Sequence, residues 1–119
     1  MLSEMKKRLG KIISRTVGYS ESKRAEITQC LAEYDSGHMI YPSTFANKLQ
    51  IPTADAYRIL EAASAEGVVE GYYEYRCRNC QRVLGAVHLF NGLPETIHCN
   101  MCGSTMNTLE NTFKIYKVV

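Results

Sequence analysis

The sequence lacks a long hydrophobic run. No apolar stretch in its 119 residues approaches the roughly 20 residues that a helix needs to cross a bilayer. Its start, MLSEMKKRLGKIISR, also lacks the uninterrupted apolar core of a secretory signal. We therefore expect an intracellular, cytoplasmic protein whose cysteine thiols stay reduced.

The sequence also lacks the residue combinations on which common catalytic sites are built. It shows no nucleophile paired with a base, no glycine-rich loop that could hold a phosphate and no two-carboxylate site. This absence predicts a protein that is not an enzyme and has no small-molecule substrate.

Charge is unevenly distributed along the chain. Residues 1–24 contain seven Lys or Arg and two Glu, residues 25–76 contain three basic and eight acidic residues, and residues 77–119 contain four basic and two acidic residues. Any nucleic-acid surface would therefore lie towards the ends of the chain and not in its middle.

The first sixteen residues have the pattern of a basic amphipathic helix. Its apolar stripe is spaced by threes and fours, and comprises Leu2, Met5, Leu9, Ile12 and Ile13. Docking on its own domain, binding a protein partner and self-association are alternatives for this stripe. We do not expect it to bind a membrane, because Gly10 weakens the helix and no Trp or Phe would anchor it in lipid.

Three further helices are predicted in the acidic middle of the chain. The first covers 21–34, with Ser20 or Ser22 as its N-cap and Cys30 on its buried face. The second begins near Pro42, which suits a first helical turn. The third covers about 54–66, with Thr53 as its cap and Gly67 as its stop.

Strand-like segments follow these helices at VVEGYYEYRC and NTFKIYKVV. The four remaining cysteines begin with Cys77, the last residue of the first segment, and all precede the second segment. Three helices and a terminal β-ribbon predict an α+β fold, a winged helix-turn-helix with the cysteine module inserted at the wing. The predicted parts are a basic helix and linker (1–19), a winged-helix core (20–76), a zinc ribbon (77–107) and a closing wing strand (108–119).

The cysteines form two Cys-x-x-Cys pairs, Cys77 with Cys80 and Cys99 with Cys102. Two such turns, about 18 residues apart, have the spacing of a four-cysteine zinc ribbon in which each turn ends a β-hairpin. Gly103 suits the positive φ of the second turn. The intervening segments RVLGAVHLF and ETIHC are predicted strands joined by the turn NGLP. We expect one structural Zn²⁺, because four thiolates leave no position open for water.

Other interpretations of the cysteines are a pair of disulfides, a redox pair, or a ligand set in which His98 replaces Cys99. The expected reducing compartment is evidence against disulfides. A redox Cys-x-x-Cys belongs to a strand-to-helix junction of an α/β pattern, which this sequence does not show.

A winged helix joined to a four-cysteine ribbon resembles the N-terminal region of archaeal transcription factor E and of the large subunit of general factor IIE. The resemblance covers roughly residues 20–119 and places Cys77, Cys80, Cys99 and Cys102 at the ribbon ligands. This sequence differs from those factors in how the ribbon is connected. Its ribbon is predicted within the wing, whereas the ribbon of those factors follows a completed winged helix through a helical linker. The resemblance implies the fold, and by analogy a link to transcription or its regulation.

The helix over 54–66 would enter the DNA major groove in a typical helix-turn-helix. Its predicted exposed positions are Asp55, Tyr57, Arg58, Glu61 and Glu66, which carry a net charge of −2. An acidic recognition helix is evidence against this docking mode, because phosphate contacts supply much of the affinity for DNA.

Two function classes follow from these observations. The first is a nucleic-acid binder, with DNA as the candidate partner, which uses basic residues at the helix and ribbon: Lys6, Lys7, Arg8, Lys11, Arg76, Arg78 and Arg82. The ribbon arginines can instead offset the negative charge of a thiolate centre. The second class is a protein-interaction adaptor that binds its partner through the ribbon or through Tyr57, Arg58 and Glu61. A winged helix combined with a zinc ribbon is often found in nucleic-acid-binding proteins, and this analogy favours the first class slightly.

Overall fold

The computed structural model describes residues 3–119, with side chains described from residue 6 onward. It confirms a mixed α+β protein with helices and antiparallel sheets. The helices are α1 (Ser3–Thr16), α2 (Glu21–Ala32), α3 (Pro42–Leu49) and α4 (Thr53–Ala65). The strands are β1 (Met39–Ile40), β2 (Val69–Arg76), β3 (Val83–Val87), β4 (Thr96–His98), β5 (Thr105–Asn107) and β6 (Thr112–Val118).

The chain divides into two compact units. One consists of the chain up to Glu70 together with Tyr116–Val119, and we call it the helical unit. The other is Gly71–Ile115, which we call the metal unit because it contains both cysteine pairs. Strands β2 and β6 each belong partly to one unit and partly to the other.

Helix α1 packs against α2 and α4 within the helical unit. Leu9, Ile12 and Ile13 are buried there, as the apolar stripe predicts. Leu2 lies outside the described residues, as does the side chain of Met5. Docking on the protein's own helices is thus the alternative that the structure adopts for this stripe.

Helices α2, α3 and α4 surround the remaining core of the helical unit, which includes Ile27, Leu31, Phe45, Ile59 and Leu60. The N-cap of α2 is Ser20, whose Oγ accepts a hydrogen bond from the Lys23 backbone N–H at 3.2 Å. Pro42 occupies the first turn of α3, and Gly67 has a φ of +76° just after α4.

The predicted cap of α4 is wrong by one residue. The N-cap is Pro52, and no side chain caps the helix, so Thr53 is already helical. Pro52 has extended backbone angles, and its own carbonyl accepts the Asp55 and Ala56 N–H bonds that begin the helix. The interruption between α3 and α4 therefore relies on backbone geometry and not on a side-chain cap.

The larger sheet has the strand order β1-β6-β2-β3. β1 pairs with β6 in antiparallel register, with Ile40 opposite Tyr116, and β2 pairs in the same way with β3. A second sheet consists of β4 and β5. Strand β5 was not predicted, and the strand predicted at RVLGAVHLF ends at Val87, before a short 3₁₀ turn at Phe90–Gly92.

Candidate metal centre

The four predicted ligands come together in the metal unit. The Sγ atoms of Cys77, Cys80, Cys99 and Cys102 all lie within 4.8 Å of one another. Cys77 Sγ is 3.4 Å from Cys102 Sγ, and Cys80 Sγ is 3.5 Å from Cys99 Sγ. A regular tetrahedron with Zn–S bonds of about 2.3 Å places its sulfurs about 3.8 Å apart, so the cluster has the size of a single four-thiolate site.

Each cysteine pair lies in a turn that ends an antiparallel hairpin. The first turn joins β2 to β3, and the second joins β4 to β5. In the first, the Cys77 N–H donates to the Arg82 carbonyl at 2.9 Å. In the second, the Cys99 N–H donates to the Ser104 carbonyl at the same distance. The two turns are therefore near copies of each other, as a zinc ribbon requires.

The fourth residue after each first cysteine has a positive φ. Gly103 has a φ of +75°, as its sequence position predicts, and its equivalent Gln81 has a φ of +62°. Both N–H groups donate to the carbonyl of the first cysteine in their turn at 2.8 Å. The Gln81 side-chain amide also donates to the Arg78 carbonyl at 2.9 Å, a local bond that holds this residue in the left-handed region.

Hydrogen bonds within the turns act directly on the thiols. The side chain and backbone N–H of Ser104, followed by Cys77, lower the pKa of Cys102 to about 6. Backbone N–H groups of Cys102 and Met101 lower the pKa of Cys99. A backbone hydrogen bond at Arg82 acts to lower the pKa of Cys80, but its sulfur neighbours Cys77 and Cys99 raise it to about 11. The second turn in particular is thus built to stabilise thiolate sulfur, the form that binds metal.

The donor set fits one Zn²⁺ ion. Four sulfur donors in a closed arrangement are typical of structural zinc and leave no position for substrate or water. Cys77 and Cys99 are buried, whereas Cys80 and Cys102 are exposed. His98 is not part of this cluster, and its Nδ1 is hydrogen-bonded to the Thr105 hydroxyl at 3.0 Å.

Two of the three ribbon arginines pair with carboxylates. Arg76 lies 2.6 Å from the carboxylate of Glu74, a buried residue, and its guanidinium lies over the Phe113 ring. Arg78 lies 3.0 Å from Glu110 and also donates to the Asn111 side chain. Arg82 is exposed. The sequence analysis treated these arginines as one basic surface for nucleic acid, but Arg76 and Arg78 each lie beside a carboxylate of this chain.

Some basic side chains of α1 also contact other side chains of this chain, whereas others are exposed and make no such contact. Arg8 lies 3.0 Å from the Glu66 carboxylate at the end of α4, and Lys6 donates to the Gln29 side chain at 2.6 Å. Lys7 and Lys11 are exposed, and their side chains make no hydrogen bond or ion pair within residues 6–119. Lys7 and Lys11 thus remain as an exposed basic strip of α1, which contains fewer residues than the sequence indicates.

The predicted partner-binding residues of α4 differ in exposure. Arg58 and Glu61 are exposed, and Glu61 accepts a hydrogen bond from the hydroxyl of buried Tyr116. Tyr57 was expected to point outward but packs partly against the core. Asp55, also expected to be exposed, accepts a hydrogen bond from Tyr19 and is only 23% exposed at its side chain. Tertiary contacts from outside the helix account for both differences.

Exposed apolar side chains in the metal unit were missed by sequence reasoning. Six of the seven strongly exposed large apolar side chains in the described part of the chain lie there: Val83, Leu89, Phe90, Met101, Leu109 and Phe113. Phe90, Leu93, Pro94 and Leu109 also line an open groove of about 560 Å³, beside Glu95. Val83, Leu89, Phe90 and Phe113 lie in segments predicted as strands, where the sequence does not show which apolar side chains stay exposed.

The chain matches no protein-family model, no curated protein and no solved structure. No helix within residues 3–119 is long and apolar enough to span a membrane. The metal centre and the surfaces around it are therefore the features that bear on function.

Proposed function

We propose that the chain is a non-enzymatic, zinc-binding winged-helix protein that acts as an interaction adaptor, with its metal unit as the partner-binding surface. The order α2, β1, α3, α4, β2, β6 supports the winged-helix assignment, since it is three helices followed by an antiparallel ribbon. The antiparallel pairing of β1 with β6 fits the same topology. The cysteine turns lie between β2 and β6 in the chain, which is the position of the wing.

Zinc serves a structural role in this proposal. The metal unit has few buried apolar residues besides its cysteines, with Ile97 and Ile115 among them. A unit with so small a core depends on metal binding for its folding free energy. The ion thus holds two hairpins together so that their outer surfaces can be recognised.

The observation that carries the adaptor assignment is the concentration of exposed apolar side chains in the metal unit. Met101 is 71% exposed, Leu89 67% and Leu109 58%. Phe90 and Leu109 also share one groove with Leu93 and Pro94, and contiguous apolar exposure of this kind is typical of a protein-interaction surface. A partner that covers these side chains removes apolar surface from water, which favours association.

The contacts of the basic residues support the same choice. Arg8, Arg76 and Arg78 each lie within ion-pair distance of a carboxylate of this chain. A phosphate would have to compete with these carboxylates, which reduces the gain in affinity from each contact.

Affinity capture with matched variants tests the adaptor proposal. Leu109→Asp places a charge on the groove, and Val119→Asp makes the same change at an equally exposed apolar residue of the helical unit. Both variants should bind one equivalent of zinc. We expect quantitative mass spectrometry to find a partner that wild type and Val119→Asp retain and Leu109→Asp loses. Equal capture by all three proteins would contradict the proposal.

Nucleic-acid binding is the second candidate, favoured by the exposed strip of α1. Lys7 and Lys11 are available there, and Lys6 and Arg15 are exposed on the same helix. Fluorescence anisotropy with short DNA and RNA, at low and physiological salt, tests it. Binding that falls steeply with salt, and that Lys7→Glu with Lys11→Glu abolishes, would favour this function. Retained binding in that double variant would exclude the α1 strip as the binding surface.

A further inference from the structure

The groove of the metal unit has walls that local structure holds in place. The Phe90 ring contacts the Tyr73 ring edge-on, with 5.4 Å between the two centroids. The 3₁₀ turn that begins at Phe90 is closed by the Leu93 N–H, which donates to the Phe90 carbonyl at 3.2 Å. Two further lining residues, Thr96 and Asn107, are paired in the β4–β5 sheet. The groove is therefore formed before a partner binds, which reduces the cost of ordering it.

Apolar side chains make up much of this groove. Phe90 is 56% exposed and Leu109 is 58% exposed, and Leu93 and Pro94 add to the apolar lining. Its volume of about 560 Å³ lies within the range of about 300–1,000 Å³ that is usual for ligand pockets. The groove is thus large enough for side chains of a short peptide segment.

Glu95 gives this groove an unpaired negative charge. The metal unit contains three glutamates and no aspartate, and two of the glutamates lie within ion-pair distance of an arginine, Glu74 with Arg76 and Glu110 with Arg78. Glu95 is exposed, and its carboxylate makes no hydrogen bond or ion pair within residues 6–119. Among the described residues, no Lys, Arg or His lines the groove. A positive charge on a partner would therefore meet a carboxylate that has no competing partner in this chain.

Two side-chain amides in the lining suit a peptide backbone. Asn107 Oδ1 accepts a hydrogen bond from the Glu110 N–H at 3.3 Å, and its Nδ2 donates to no group within residues 6–119. Asn91 is exposed, and its amide is likewise without a partner in that range. A purely apolar ligand would displace water from these amides without replacing its hydrogen bonds, whereas a peptide carbonyl can accept from them. The polar groups of the groove thus favour a peptide.

We propose that the groove binds a short peptide segment of a partner protein in which a lysine or arginine lies next to a bulky apolar residue. The apolar side chain contacts Leu93 and Leu109, and the basic side chain pairs with the Glu95 carboxylate. Complementary charge favours such a segment and disfavours an acidic one. This inference rests on the adaptor function proposed above and adds the chemistry of the partner.

Selection from a displayed library of random short peptides tests the proposal. The target is the zinc-loaded full chain, and peptides that also bind Leu109→Ser are discarded, because that change removes an apolar wall without adding charge. Among the remaining peptides, Lys or Arg beside a bulky apolar residue should be enriched about threefold or more, since an exposed ion pair strengthens binding by a few-fold. Glu95→Lys should reverse this preference towards Asp and Glu. Glu33→Lys makes the same charge change at an exposed glutamate of the helical unit and should leave the preference unchanged.

Three results would overturn the proposal. They are a lack of peptides that depend on Leu109, a selected set without basic enrichment, and a preference that Glu95→Lys leaves unchanged or that Glu33→Lys reverses equally. The adaptor proposal has its own test in the capture of a cellular partner, so either proposal can fail without the other. Zinc content and amide spectra of each variant establish folding. NOEs between the Leu109 methyl groups of wild type and a selected peptide give a test that needs no substitution, and their absence would also contradict the proposal.

Discussion

The Sγ atom of Cys77 lies 3.4 Å from the Sγ atom of Cys102, although the two residues are 25 positions apart in the chain. Cys80 and Cys99 make the complementary contact at 3.5 Å. Each turn thus places its sulfurs against those of the other turn. A metal at this point joins the β2–β3 hairpin to the β4–β5 hairpin, and losing it should release both.

The close approach of Tyr75 to Gly85 predicts a specific steric effect. The residues are cross-strand partners, and a Cβ at position 85 would overlap the Tyr75 ring and hydroxyl. Gly85→Ala should destabilise the metal unit by about 1–3 kcal/mol, a typical cost of overpacking. The measurement is thermal unfolding of the zinc-loaded protein.

Two comparisons isolate that clash. The cost of Gly85→Ala should fall towards zero in a Tyr75→Ala background. Gly10→Ala, in α1, meets no atom within 4 Å and should stabilise the protein by up to about 1 kcal/mol. An undiminished cost of Gly85→Ala without the Tyr75 ring would rule out the steric explanation.

The two positive-φ residues of the cysteine turns predict opposite responses. Gly103→Ala forces an alanine into the left-handed region, which costs about 1–2 kcal/mol. Because folding and zinc binding are coupled, zinc affinity should fall about 5- to 30-fold. Gln81→Gly removes the same strain and should raise affinity, by a smaller factor because the bond to the Arg78 carbonyl is lost. Chelator competition measures both, and changes of the same sign would contradict this account.

The ion pair between Arg8 and Glu66 links α1 to the end of α4. Both side chains are largely exposed, so their coupling should be about 0.2–1 kcal/mol and should shrink as salt is raised. A double-mutant cycle with Arg8→Ala and Glu66→Ala, followed by chemical denaturation, measures it. Additive single-variant effects at low salt would show that the Arg8 and Glu66 side chains do not stabilise each other.

Tyr19 should titrate above an ordinary tyrosine. Burial, and then the hydrogen bond and negative charge of Asp55, raise its pKa from 10 to about 12. Its contribution to stability is complete below pH 10 and is lost as pH rises towards about 12, because the unfolded chain releases the proton first. An NMR titration of the Tyr19 ring gives the midpoint. Asp55→Asn should lower that midpoint, and an unchanged midpoint would exclude Asp55 as a cause.

The sequence was most informative where structure follows from local pattern. The apolar spacing in α1 predicted which residues are buried, and Ser20, Pro42 and Gly67 marked helix ends correctly. The spacing of Cys77, Cys80, Cys99 and Cys102 predicted one metal site. Each of these signals acts within a few residues or through well-known ligand geometry, so no knowledge of distant contacts was needed.

The rest depends on partners that are distant in the chain. Glu74 is buried beside Arg76, a contact that the alternation of residues along a strand does not reveal. Tyr57 and Asp55 were read as exposed because helix periodicity cannot include the contacts of other elements. The positive φ of Gln81 is visible only by analogy with Gly103. Pairing of Arg8 and Arg78 with carboxylates likewise required the tertiary structure.

The central claim is that the four cysteines form a structural zinc centre, and the zinc content of wild type and Cys80→Ser tests it most directly. Zinc is measured by plasma mass spectrometry after dialysis against a weak chelator. Amide NMR spectra of the same samples report folding. Wild type should retain one equivalent. Cys80→Ser should lose it, with signals of Gly71–Ile115 collapsing while those of α1 to α4 persist. A Cys80→Ser protein that keeps a full equivalent of zinc, or a metal-free protein whose Gly71–Ile115 signals are unchanged, would contradict a four-cysteine structural zinc centre.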